Sequence, residues 1–273
     1  RSYFLMKDFQ KFIADDLLEL SSSKRIEILS EILTKNSSIS QIAKKLNSTN
    51  QEIHRNIQRL EKHDFIEKNR DGNYQLTNFG LNMLKQLQSM NFLSKNKKYF
   101  KKHSLEQVPI KFIQRIGQLD NSENVKGFVK VHEKWNLIYE NAEKYIYNIL
   151  YEVSYDSDII STLIKLMNQG VKIKSIFFES KNVYKKREQV LKKNNFEKFT
   201  KLKILERKMT KENLISITLN EKQAAVCFSN NDGEIDLSTM FYSEDPDFHD
   251  WCLDYFNEFW NRANNFQEHK ISK

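Results

Sequence analysis

Apolar positions in the first hundred residues recur at spacings of three and four. Phe4, Leu5, Phe9, Phe12, Ile13, Leu17 and Leu20 predict an amphipathic helix over residues 4–20. Three serines, Ser21 to Ser23, interrupt it, and Ile26, Leu29, Ile32 and Leu33 mark one face of a second helix. Ser38 or Ser40 is placed to cap a short third helix that turns Ile42, Ala43 and Leu46 inward. Thr49-x-x-Glu52 has the reciprocal capping-box arrangement and starts a fourth helix over 50–63, burying Ile53, Ile57 and Leu60. Phe65 and Ile66 then open an extended run. Arg70-Asp71-Gly72-Asn73 supplies an Asp-Gly turn, and Tyr74 and Leu76 return on a second strand. Thr77 caps a further helix beginning near Asn78, with Leu81, Leu84, Leu87 and Met90 on its apolar side.

The pattern changes further along. "LEQVPIKFIQRIGQL" holds Pro109, and Gly117 ends a short helix, so the domain boundary falls between about 90 and 125. Beyond it, a helix over 132–143 precedes a buried strand, "YIYNILYEVSY". "DSDIISTLIKLMNQG" reads as a helix ended by Gly170, "VKIKSIFF" as a strand, "NVYKKREQVLKKN" as a helix and "LKILE" as a strand. "LISITLN" and "QAAVCFS" form a hairpin across Asn220 to Lys222. Alternation of this kind implies an α/β layer around a central sheet. A last helix starts at the Asp245 cap with Pro246 in its first turn, and carries Phe248, Trp251, Cys252, Tyr255, Phe256, Phe259 and Trp260 at helical spacing. Packing on the sheet or at a dimer contact explains that aromatic stripe, and an aromatic wall for a small effector is the alternative.

Composition narrows the class. Of 273 residues, 39% are hydrophobic and 29% charged, as in an ordinary globular protein, and only 2 Pro and 6 Gly favour long helices. No apolar run approaches the roughly 18 residues needed to span a bilayer. Two cysteines, Cys227 and Cys252, are too few for a disulfide framework and lack metal-ligand spacing, which points to a reducing cytoplasm. Net charge is +8, unevenly spread. Residues 1–103 hold 19 basic and 11 acidic side chains, residues 104–220 hold 21 and 14, and residues 221–273 hold 4 and 11. The excess of positive charge over most of the chain favours a polyanionic partner.

Two helices, a tight polar turn and a sharply started helix make a helix-turn-helix, and the hairpin that follows supplies a wing. The stretch "IQRLEKHDFIEKNRDGNYQLTNFG" resembles the recognition-helix, wing and "LTxxG" region of the winged-helix transcription-factor superfamily. A major groove admits one α-helix, whose N-terminal half reaches base edges. Arg55 and Arg59 suit bidentate contacts to guanine or phosphate, and Asn50, Gln51 and Gln58 suit adenine or backbone. Lys44, Lys45, Lys68 and Arg70 flank them at positions fit for phosphate contact. Ser48, Thr49, His54, Lys62 and Asn73 complete the candidate DNA-binding set. A further run, "FLSKNKKYFKKH", accumulates Lys95, Lys97, Lys98, Lys101 and Lys102, which serve either phosphate contact or a solvated helix end.

The winged helix, the connector "LEQVPIKFIQRIGQL" and the terminal "FYSEDPDFHDWCLDYFNEFWNRA" together resemble archaeal winged-helix regulators with a methanogenesis-regulator-type C-terminal domain. The resemblance implies homodimeric transcription factors whose C-terminal α/β domain resembles a phospholipase D-like half and serves dimerisation or effector sensing. Phospholipase D enzymes share an H-x-K-x4-D motif. His132-Glu133-Lys134 supplies its first part, but Tyr139 stands at the acidic position and the fragment opens a helix. No Gly-rich phosphate loop or metal-ligand cluster is present.

The expected architecture is an α+β winged helix-turn-helix domain over 1–90, a helical connector over 91–125 and an α/β dimerisation or effector-sensing domain over 126–273. The expected function is a dimeric, cytoplasmic, sequence-specific regulator binding double-stranded DNA, with helix 50–63 in the major groove and the wing, 68–75, on the adjacent groove or backbone. No cofactor, metal, membrane or catalytic activity is expected, and a small-molecule effector stays open. The alternatives are a winged-helix protein- or RNA-interaction module and a phospholipase D-like phosphodiesterase.

Overall fold

Periodic apolar faces and capped starts give the first elements their bounds in the computed structural model, which describes residues 9–150, 157–179, 195–212 and 214–267. The chain divides into two compact units, Arg1–Leu87 and Gln88–Lys273.

The first unit contains helices α1 (Phe9–Leu20), α2 (Ser23–Thr34), α3 (Ile39–Lys45) and α4 (Asn50–Lys62), then strands β1 (Ile66–Lys68) and β2 (Tyr74–Leu76). Helix α5 (Asn78–Lys95) begins in this unit and ends in the second. Phe4 and Leu5 lie outside the described residues. Leu20, Ile28, Leu29, Ile32, Ile42, Ile53, Ile57, Leu60, Phe65 and Tyr74 form the core. The buried face of α2 is Arg25, Ile28, Leu29 and Ile32, so the expected face is displaced: Ile26 is half-buried and Leu33 is 53% exposed. Arg25 is a charged residue on the buried face. Its Nε donates to the Glu19 carbonyl at 2.6 Å and its Nη2 to the Leu18 carbonyl at 3.0 Å, which satisfies the end of α1.

Ser38 starts α3 with a complete capping box, its Oγ accepting from the Gln41 amide and the Gln41 side chain accepting from the Ser38 amide. The box expected at Thr49 and Glu52 is half-made: Thr49 Oγ1 accepts from the Glu52 amide at 3.1 Å, and no return bond from Glu52 is present. Thr77 Oγ1 accepts from the Gly80 amide at 2.9 Å and so caps α5. Gly80 is needed there, because a Cβ at this position would meet the Phe65 carbonyl oxygen at 2.0 Å. The helix therefore crosses the strand entry at backbone contact distance.

The second unit continues with α6 (Lys97–Phe100), β3 (His103–Ser104), α7 (Ile110–Ile113), a 3-10 turn over Ile116–Leu119, β4 (Glu123–Lys126), α8 (Phe128–Glu140), β5 (Tyr145–Leu150), α9 (Ser157–Asn168) and β6 (Lys172–Phe178). After these come α10 (Phe196–Lys201), β7 (Leu205–Thr210), β8 (Ser216–Leu219), β9 (Ala224–Cys227), β10 (Ser229–Asn230), β11 (Thr239–Ser243), α11 (Pro246–Arg262) and β12 (Asn264–Asn265). Eight strands form one mixed sheet in the order β12-β7-β6-β5-β8-β9-β11-β4, with β5, β6 and β7 parallel, while β3 and β10 pair separately. The helix expected over 182–194 and the strand end at 151–155 lie outside the described residues. The strand expected at "LKILE" starts later. Leu202 closes α10 and Lys203, at φ +55°, makes the turn that precedes β7.

Alternate residues of each strand serve opposite faces. Ile149, Ile176 and Ile217 meet the aromatic side of α11, whereas Ile146, Ile173 and Leu205 pack with α9 and α10. Ala225, Cys227 and Met240 join Val131 and Ile138 of α8. Phe92, Val108, Phe112, Ile116 and Leu119, from the segment expected to be a connector, belong to the core that holds α11. Trp251 Nε1 donates to the Phe112 carbonyl at 3.1 Å. Phe248, Trp251, Tyr255, Phe256 and Phe259 are buried in that core, and Trp260 is half-buried. The aromatic stripe of α11 is therefore core packing and not a ligand wall.

Candidate nucleic-acid interface

The turn between α3 and α4 is made by Asn47, at φ +48°, with the Ser48 amide bonded to the Ala43 carbonyl at 2.9 Å. Ser48 Oγ donates to the Leu46 carbonyl at 3.2 Å and Thr49 caps α4. Both hydroxyls are thus occupied in shaping the turn. Ile53, Ile57 and Leu60 anchor one side of α4 in the core. The opposite side presents Asn50, Gln51, His54, Arg55, Gln58 and Lys62, all exposed. Gln51, Arg55 and Gln58 follow at i, i+4 and i+7, so they make one stripe. None of these side chains has a hydrogen bond or ion pair to the described residues. Lys44 and Lys45, in the last turn of α3, are exposed as well.

Arg59 behaves differently. Its Nε donates to Glu19 Oε2 at 2.9 Å and its Nη2 to Glu19 Oε1 at 2.6 Å. The Glu19 side chain is 3% exposed, and Arg25 Nε lies 3.2 Å from the same carboxylate. His63 stands 3.9 Å from Glu19 and 3.7 Å from Asp16. The Arg59 hydrogen bonds, then the charges of Arg25, Arg59 and His63, outweigh burial and hold the Glu19 carboxyl below its ordinary value. The guanidinium that sequence spacing assigned to DNA is thus joined to α1. Nothing in the local sequence signals this, because the partner is a different helix.

The wing is a two-stranded ribbon pairing Ile66 with Leu76 and Lys68 with Tyr74. Ser37 adds a bridge to it, exchanging amide–carbonyl bonds with Tyr74 at 3.2 and 2.9 Å. The loop is closed by Asn69, whose Oδ1 accepts from the amides of Asp71 and Asn73, with Gly72 at φ +83°. Arg70 is exposed at the tip and Asn73 is half-buried. The Lys68 ammonium lies 6.0 Å from the Tyr74 ring centre. The α4 stripe, the end of α3 and the wing belong to one winged framework, in which Arg59, Ser48 and Thr49 also make contacts within the protein.

Residues 24–95 match the winged helix-turn-helix family model. No curated protein sequence matches the chain. Among solved structures, the chain is similar to TrmBL2, an archaeal chromatin protein, at 14% identity and TM-score 0.43, over 95% of this chain and 100% of that one. It is also similar to Nuc, a phospholipase D family member from Salmonella typhimurium, at 10% identity and TM-score 0.39, over 54% of this chain and 99% of that one. NucT from Helicobacter pylori gives 12% identity and TM-score 0.39 over 54% and 99%.

In the second unit His132 and Lys134 sit inside α8, not on a strand. Lys134 pairs with Glu123 at 2.8 Å and lies 4.3 Å from the Tyr242 ring centre. Tyr139, at the position an acidic residue would occupy, accepts a hydrogen bond from Asn148 at 3.2 Å. Cys227 and Cys252 are buried, which raises both thiols well above their ordinary value. Among the described residues no group of three or more His, Cys, Asp or Glu side chains is placed to hold a metal ion, and no helix is long and apolar enough to cross a membrane.

Proposed function

We propose that this chain is a sequence-specific DNA-binding transcriptional regulator that acts as a cytoplasmic homodimer. Helix α4 enters the major groove, and the wing lies on the adjacent groove or backbone. The observation that carries this reading is the outward stripe of α4. Its amide and guanidinium groups are exposed and uncommitted, while the opposite side of the helix is fixed in the core. Such a stripe matches the edge pattern of base pairs: the Arg55 fork suits guanine O6 and N7, and the carboxamides of Gln51 and Gln58 suit adenine N6 and N7. Lys44, Lys45, Lys62, Lys68 and Arg70 supply phosphate contacts that set register without reading sequence. Arg59 acts as a positioning residue through Glu19. Two copies then meet half-sites about one helical turn apart.

We assign the second unit to dimerisation or effector sensing, without catalysis. The placement of His132 and Lys134 within a helix supports the non-catalytic part of that assignment, as do the commitments of Lys134 and Tyr139 to neighbouring side chains.

Selection from random duplexes followed by footprinting tests the reading. One enriched, roughly palindromic motif with a protected footprint is expected. Salt-sensitive binding with no enriched motif would remove the sequence-specific part, and absence of duplex binding would remove the reading entirely.

A further inference from the structure

The second unit carries a basic surface that the winged helix does not account for. Lys97, Lys98, Lys101 and Lys102 fall within six residues on α6 and the turn that follows it, and all four are exposed. Helical spacing of 97 to 101 and of 98 to 102 puts them on one side. The two residues between the pairs face the other way. The Tyr99 ring stacks on His103 with centres 3.6 Å apart and meets Phe241 at 5.0 Å, and the Phe100 ring meets Phe92 at 5.8 Å and Phe228 at 5.7 Å.

The backbone beneath the lysines is held as well. Asn231 Nδ2 donates to the Lys101 carbonyl at 3.1 Å, and the Asn231 amide donates to the Lys102 carbonyl at 3.1 Å. His103 continues this brace. Its Nδ1 bonds the Tyr99 carbonyl at 2.9 Å and its Nε2 bonds Asp236 Oδ2 at 2.8 Å.

Several other cations of the second unit are ion-paired. Lys95 is paired with Asp120, Lys111 with Glu258, Arg115 with Asp254, Lys134 with Glu123 and Lys222 with Glu143. The four lysines have no ion pair among the described residues, although Asp232 and Glu234 stand on the loop that Asn231 opens. Four unpaired positive charges on a rigid base suit a ligand with a linear array of negative charge. A flexible tail would lose more entropy in ordering such groups.

We propose that Lys97, Lys98, Lys101 and Lys102 form a second DNA-binding surface, one that contacts the duplex phosphate backbone without reading sequence. The proposal rests on the duplex-binding reading above and extends it to the second unit. Ammonium groups are point charges on long stems, fit for phosphates and poor at the planar fork contacts that distinguish bases. Each phosphate neutralised releases counterions and steepens the salt dependence of binding by about 0.9 in the logarithmic slope.

The experiment compares full-length wild type, the quadruple variant Lys97→Gln/Lys98→Gln/Lys101→Gln/Lys102→Gln, and Arg55→Ala. Affinity for a random-sequence duplex and for the site recovered by selection is measured over a range of salt concentration. Circular dichroism and Tm confirm the fold, and Tyr99 and Phe100 are left in place for that reason. The quadruple variant is expected to bind random duplex more weakly at low salt, with a log–log slope shallower by up to about 3.6. A variant with unchanged slope and affinity overturns the proposal, and leaves the winged-helix reading standing if Arg55→Ala still loses selectivity. Loss in the quadruple variant with no effect of Arg55→Ala on a selected site keeps this surface and removes α4 as the reader. Wild type that binds no duplex overturns both.

Discussion

Arg59 and Glu19 are joined by two parallel hydrogen bonds, 2.9 and 2.6 Å long, across 40 residues of sequence. The pair ties the helix proposed to read DNA to the end of α1, where the carboxylate is almost wholly enclosed. Removing Arg59 leaves that carboxylate with Arg25 and His63 as its remaining positive neighbours. Arg59→Ala is therefore expected to lower Tm, and any loss of DNA affinity in it is confounded by that change. A variant with unaltered Tm would show that the pair is energetically idle, as exposed ion pairs often are.

The same carboxylate gives an acid-sensitive contribution with a defined sign. The folded protein holds Glu19 below its ordinary value of 4.5, so the stabilisation is fully present above that pH and is lost as pH falls through the depressed value. Urea unfolding of wild type and Glu19→Gln between pH 7 and 3 checks it. The stability difference should be constant above about pH 5 and shrink below 4.5. A difference that does not change with pH would contradict the ion-pair account.

Asp236 makes a second, separate case. Burial raises its carboxyl, but hydrogen bonds from Ser238, His103 and Thr239 outweigh burial and hold it at about 2, against an ordinary 3.8. The bonds are 2.9 and 2.6 Å from Ser238, 2.8 Å from His103 and 3.0 Å from Thr239. Asp236→Asn is expected to destabilise the second unit by on the order of 2 kcal/mol at neutral pH, a penalty that fades from pH 3.8 downward. Chemical denaturation at pH 7 and at pH 3 reads both values.

Gly80→Ala tests the packing of the wing against α5. A methyl group at residue 80 would stand 2.0 Å from a backbone carbonyl oxygen, which has no side-chain freedom with which to yield. The expected cost is about 1–3 kcal/mol, seen as a lower urea midpoint with an unchanged slope. An unchanged midpoint would mean that the helix and strand separate easily at this point.

Local pattern made the helices and the wing legible. The polar turn at Asn47, the Asp-Gly turn and the Thr77 to Gly80 cap all report on neighbouring backbone, which short-range sequence encodes. What failed to show was everything set by distant partners. Leu33, expected on the apolar face of α2, is exposed, while Arg25 is buried and bonds to the end of α1. Strand β4, with the polar sequence Glu-Asn-Val-Lys, is a strand because β11 pairs with it, and nothing in its own residues announces the edge position. The terminal aromatic helix gave a correct element with two open roles, and only its burial against Phe112 and the sheet decides between them. Within the candidate interface, spacing identified the exposed stripe of α4 but not the pairing of Arg59 with Glu19.

The exposed fork of Arg55 carries the central claim, since it has no partner among the described residues and its loss should leave the fold intact. The deciding measurement is the affinity of Arg55→Ala for the duplex site recovered by selection, set beside its affinity for random duplex. Loss of one bidentate base contact, worth about 1–3 kcal/mol, predicts a 5- to 150-fold drop on the selected site, near-constant random-duplex affinity and an unchanged Tm. Full affinity for the selected site in a folded Arg55→Ala protein would contradict the claim that α4 reads DNA through this face.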